Sequence, residues 1–159
     1  MGVDSDLYQF VLVLHIAAAI IGFGGMFIAG FYGMESGKRP GREGLAIAET
    51  TMKVTSLVPT MAVYSVPVLG ILLILLSDDV IQFSDTWISL SFLLYIAAIV
   101  VAVGFHVPNL KKMLELRSGE QGVQATEVAA RAKKAGVLGG ILNLLWVAVL
   151  FLMVFKPGA

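Results

Sequence analysis

Leu12-Val13-Leu14-His15-Ile16-Ala17-Ala18-Ala19-Ile20-Ile21-Gly22-Phe23-Gly24-Gly25-Met26-Phe27-Ile28-Ala29-Gly30 contains no acid, no Lys and no Arg. It is the centre of an uncharged run over residues 7–34. A helix needs about 20 apolar residues to cross roughly 30 Å of hydrocarbon. This run meets that need, and so do the runs over residues 57–77, 87–110 and 136–155. The short segments between them hold almost every charge. The pattern predicts an all-α fold, a single four-helix transmembrane bundle. No unit repeat and no low-complexity tract interrupts it.

Composition agrees. Of 159 residues, 58% are hydrophobic and 14% are charged, against about 45–50% and 25% in soluble domains. That excludes a water-soluble globule and a disordered chain. Eleven Lys and Arg balance eleven Asp and Glu, so no positive excess points to nucleic acid. With no Cys, thiolate metal sites and cysteine nucleophiles are excluded. No Ser/His/Asp set, phosphate loop or paired carboxylates supply hydrolase or nucleotide chemistry.

Orientation follows from the bases. Lys38, Arg39, Arg42 and Lys53 lie between spans one and two, and Lys111, Lys112, Arg117, Arg131, Lys133 and Lys134 between spans three and four. Only Lys156 lies elsewhere. Both termini are therefore expected outside and both basic loops in the cytoplasm of a bacterial inner membrane. The opening Met1-Gly2-Val3-Asp4-Ser5-Asp6 is acidic where a signal peptide is basic, so span one is expected to persist. Tyr8, Phe83 and Trp87 stand where an outer aromatic belt would be. Two segments read as helical but not spanning: a lead-in over 44–56, with Glu49 and Lys53 at i, i+4, and 123–134, with Glu127 and Arg131 at the same spacing. The basic cluster of the second sets topology or meets anionic headgroups.

Membrane helices associate through small residues. Ala18, Gly22, Ala29 and Gly33 recur at spacings of four and seven in span one, and span four opens Gly136-Val137-Leu138-Gly139-Gly140. Spans one and four are expected to approach closely near the basic side, or span one to meet its copy in a homo-oligomer. Pro67 is expected to kink span two and free a carbonyl.

Ionisable residues inside a bilayer are functional candidates. Both histidines fall in spans. By rise, His15 lies about 12 Å in from the outer end of span one and His106 roughly 28 Å along span three. One haem cannot take both as axial ligands across that difference. The same counting sets Tyr95 and Trp146 beside His15, an aromatic-lined layer for a porphyrin or quinone with His15 as ligand or donor. Equally, His15 bonds a carbonyl or the Tyr95 hydroxyl and ties spans together. At the depth of His106 the counting sets Met26 and Met61, a donor set suited to a soft metal such as Cu(I), or ordinary core filling. Asn143, mid-span in the fourth helix, is expected to make an interhelical hydrogen bond.

The His early in span one, followed by Gly22-Phe23-Gly24-Gly25, the polar lead-in before span two, the basic loop after span three and the ending Phe151-Leu152-Met153-Val154-Phe155-Lys156-Pro157 resemble an uncharacterised group of bacterial four-helix predicted integral membrane proteins. That group is distantly similar to copper-resistance D proteins and to the membrane-bound protoporphyrinogen oxidases. The resemblance implies a haem b ligand role for His15. Those relatives also use a Lys within span three, and residues 90–106 contain none. The resemblance therefore carries the architecture and His15 rather than oxidase activity. A second reading is a non-catalytic channel, transporter or assembly subunit built on the span-one glycine face.

Overall fold

The computed structural model describes residues 2–39, 41–119 and 125–158. Among them the regular structure is all helical: α1 (Asp6–Lys38), α2 (Gly41–Ser56), α3 (Val58–Leu76), α4 (Thr86–Val101), α5 (Val107–Ser118) and α6 (Ala125–Phe155), with a π-helical turn (Ala102–His106) joining α4 to α5. α2 continues into α3, and α4 into α5, so four rods of 33, 36, 33 and 31 residues result, each long and apolar enough to span a membrane. At 1.5 Å per residue they measure about 46–54 Å, against a hydrocarbon layer of about 30 Å. The surplus lies at the basic end, where α1 runs on to Lys38 and α6 already begins at Ala125. The lead-in helix is α2. The segment over 123–134 forms the first turns of α6 from Ala125 onward; Val123 and Gln124 lie outside the described residues.

Local chemistry sets the helix ends. The Ser5 hydroxyl accepts from the Tyr8 N–H at 3.4 Å and caps α1. Pro59 sits in the first turn of α3, where its missing N–H is tolerated. In the turn after α3 the fully buried Ser77 hydroxyl donates to the Ile74 carbonyl and accepts from the Ile81 N–H. Asp78 and Asp79 there take positive φ, 59° and 63°, which Asp tolerates better than most side chains.

Large apolar side chains face outward on every rod, Leu144 at 71% exposure and Leu75 at 68% among them. Water would not tolerate such a surface, whereas lipid matches it. Inside, α1 packs chiefly on α3, and α4 on α6. Gly22 and Gly25 make the first contact possible. A Cβ on Gly22 would lie 2.9 Å from the Val63 backbone nitrogen, and one on Gly25 2.7 Å from the Pro59 ring. This corrects the expected pairing of spans one and four. On α1, Gly22 and Gly25 are spent on α3, and α1 meets α6 through a ring stack of Phe23 on Trp146, centroids 4.6 Å apart. A small residue signals close approach but does not say which helix approaches.

The aromatic belt is also redrawn. Phe83 is exposed, but Tyr8 is buried against Val11 and Leu73, and Trp87 against Ile74 and Ile88. The Lys156 ammonium lies 5.3 Å from the Trp87 ring centroid, a cation–π contact that closes the end of the bundle. Of the helical charge pairs, Glu127–Arg131 forms at 2.8 Å; among the described residues Glu49 and Lys53 make no ion pair.

Candidate functional site

α1 and α3 run antiparallel in a fixed register: Gly25 meets Pro59, Gly22 meets Val63 and His15 meets Gly70. The His15 ring packs against Gly70, where a Cβ would stand 3.3 Å from Cε1 and 3.7 Å from Nδ1. Nδ1 is enclosed and makes no hydrogen bond. The rest of the ring is partly exposed at the edge of the α1–α3 pair. Gly70 is thus the residue that makes room for a membrane-embedded imidazole, and Pro67 sits in the turn before it.

Tyr95 does something else. Pro67 has no N–H for the Val63 carbonyl four residues back. The Tyr95 hydroxyl supplies the missing proton at 2.9 Å, crossing from α4 to α3. The freed carbonyl expected from the kink is therefore present and already satisfied. Trp146 packs on Tyr95, centroids 5.7 Å apart, and on Phe23. Together with Val63, Ala98 and Leu142 these rings fill the middle of the bundle.

The shared layer of His15, Tyr95 and Trp146 does not form. Tyr95 meets α3 at Val63, the level of Gly22, seven residues and about 10 Å from His15 along the rod. Counting from the span ends assumed that spans one and three start at one depth, and α4 is instead displaced toward the basic end. Nor do Tyr95 and His15 bond each other. A shallow groove of about 320 Å³ is lined by Tyr64, Ser65, Val68 and Leu69. Helical spacing places it on the side of α3 opposite Val66 and Gly70, so it does not extend the His15 site.

His106 ends the π-helical turn and faces α6, its Cε1 3.8 Å from where a Cβ on Gly139 would be. Met61 points out of the bundle at 72% exposure, while Met26 packs inward on the aromatic cluster. The three do not converge on one point. Asn143, among the described residues, makes no hydrogen bond, so the expected interhelical contact is not formed.

Two polar contacts had no signal in the sequence. At the basic end Ser36, only 1% exposed, donates to the Gly44 carbonyl at 2.7 Å, and Arg117 of α5 donates to the Ser36 hydroxyl at 2.9 Å and to its carbonyl at 3.3 Å. A guanidinium on the C-terminal carbonyls of α1 also complements the helix dipole. Gly44 is obligatory there, since a Cβ would lie 2.1 Å from the Arg39 carbonyl oxygen and 2.5 Å from that of Ser36. The second is Asn109, whose amide donates to the Arg131 carbonyl at 2.9 Å and ties α5 to α6.

Four rods with apolar outer faces and a polar extension at one end define a multi-pass integral membrane protein. The family of predicted integral membrane proteins DUF2269 matches residues 9–157, and the chain belongs to it. No curated protein and no solved structure matches the chain.

Proposed function

We propose that this membrane protein holds a redox-active planar molecule, haem b or a quinone species, through His15. The observation that carries the reading is the seating of the ring. Nδ1 is enclosed against Gly70 on α3, which leaves Nε2 as the nitrogen to meet a ligand. An imidazole at this depth without a firm partner is also costly unless it is used. The filled centre restricts how the ligand would sit: Phe23, Tyr95 and Trp146 leave the interior to side chains, so Tyr95 and Trp146 do not line the ligand. It would lie against the outer half of the α1–α3 pair. Haem would supply one-electron chemistry there, and His15 would fix its position. In this reading the membrane is the bacterial inner membrane, with the basic end in the cytoplasm.

The test is the protein purified in mild detergent, by visible spectrum and by quinone assay of an organic extract. A Soret band, or quinone near stoichiometry, is expected in the wild type and lost in His15→Ala at unchanged elution volume. A colourless, quinone-free and folded wild-type protein overturns the proposal.

A second reading, a non-catalytic subunit that self-associates, is favoured by one observation. Cβ atoms on Gly30, Gly33 and Gly37 would meet nothing within 4 Å, so this part of α1 can receive another helix. Sedimentation of the wild type against Gly33→Leu tests it: a multimer that dissociates in the variant supports it, and a wild-type monomer ends it.

A further inference from the structure

The charges at the basic end are shared unequally between its two corners. The end of α1 and α2 carry Lys38, Arg39, Arg42 and Lys53 together with three acids, Glu35, Glu43 and Glu49. There Arg39 bridges Glu35 and Glu43, and Lys38 meets Glu35. α5 and α6 as far as Lys134 carry six cations and only two acids. Lys112 takes Glu115 and Arg131 takes Glu127, while Arg117 is committed to Ser36. Lys111, Lys133 and Lys134 remain, all exposed and without an ion pair among the described residues. They also stand close in depth. Asn109 of α5 holds the Arg131 carbonyl of α6 at 2.9 Å, and the two rods run antiparallel. Lys111 and Lys133 each lie two residues from that bond, so about 6 Å separates them along the bundle. Orientation in a membrane asks for cations at this end. It is indifferent to which corner holds them and to whether they are paired, so it does not account for this concentration.

Below the lysines α6 turns an apolar stripe outward. Lys133, Val137, Gly140 and Leu144 follow one another at spacings of four, three and four, which is one helix face. Val137 is 57% and Leu144 71% exposed, and a Cβ on Gly140 would meet nothing within 4 Å. From Lys133 to Leu144 the rise is about 16 Å, the depth of one leaflet in a hydrocarbon layer of about 30 Å. A phospholipid has the matching profile, with a charge at one end and a chain of leaflet length. We infer that Lys111, Lys133 and Lys134 bind the headgroup of an anionic phospholipid in the leaflet at the basic end, with its acyl chain along the Val137–Leu144 stripe of α6. The unpaired lysines select the anionic headgroup, since a zwitterionic one offers no net charge to them. This site is independent of the ligand proposed at His15.

The test compares the two corners in full-length protein. Native mass spectrometry after release from nanodiscs of mixed phosphatidylglycerol and phosphatidylcholine reads the lipid that stays bound. Phosphatidylglycerol is expected to be retained over phosphatidylcholine. Lys133→Gln combined with Lys134→Gln is expected to weaken that retention roughly thirty-fold, the effect of two cations beside an anionic surface. Arg42→Gln combined with Lys53→Gln removes the same charge from the other corner and is expected to leave retention nearly unchanged. Equal losses in the two double variants would mean diffuse attraction rather than a site, and equal retention of the two lipids would mean that the headgroup is not read. Either result overturns the inference. The chain has no Cys, so Leu144→Cys introduces a single thiol on the stripe. A disulfide between copies in the bilayer would show a second copy where the acyl chain is placed, and would overturn the inference as well.

Discussion

The two halves of the bundle close by opposite means. The α1–α3 pair approaches backbone to backbone, through Gly22 on Val63 and Gly25 on Pro59. The α4–α6 pair is held apart by bulk, with Tyr95, Ala98, Leu142 and Trp146 between the helices. In lipid there is no hydrophobic drive between helices, so either route works only if contact is close and polar groups are met. The comparison teaches where tolerance lies. A glycine contact fails once any side chain is added, whereas an aromatic contact weakens in proportion to what is removed.

Gly22→Leu is the severest way to break the contrast. The added side chain has nowhere to go against the Val63 backbone, and the variant is expected to lose monodisperse, folded protein on size exclusion. Trp146→Ala in the other pair is expected to remain folded and to lose about 3–5 kcal/mol, read by denaturation in detergent. Tyr95→Phe removes the one hydroxyl that joins the pairs at Val63 and is expected to cost about 1–2 kcal/mol. The comparison sharpens in the background of Pro67→Ala. Alanine returns an N–H to the Val63 carbonyl, so Tyr95→Phe should then cost markedly less; full additivity would mean that the carbonyl was never the reason for the bond. Lys156→Gln has the smallest effect, about 0.5–1 kcal/mol. Of the two tryptophans only Trp87 should report it, as a change in emission that persists in Trp146→Phe.

How much of this was legible in the sequence differs by feature. Hydropathy placed the four spans and the polar lead-in, because lipid selects length and apolarity directly. The glycines announced a close approach, yet their partner was hidden, since spacing of four and seven fits any neighbouring helix. The depth of Tyr95 was misjudged because residue counting carries no information on how far one rod slides along another. Gly44 reads only as the start of the lead-in helix and Arg117 only as one of the loop bases, and nothing marks the Ser36–Arg117 contact, which joins positions 81 apart in sequence. The Asn109 bond was hidden in the same way, since an amide beside Pro108 does not say which carbonyl lies across from it. For His15 the imidazole and its span were legible from residue pattern; only the structure supplies Gly70 as its counterpart and removes Tyr95 and Trp146 from its side.

The overhang of the rods carries a practical consequence. With helices of 31–36 residues and a lipid core of about 30 Å, roughly 16–24 Å of rigid scaffold stands clear of the bilayer. A small soluble carrier inserted beside Arg39 would therefore ride on a stiff mast well away from detergent. It would give a protein of this size the mass and the fixed orientation that particle alignment in electron microscopy demands.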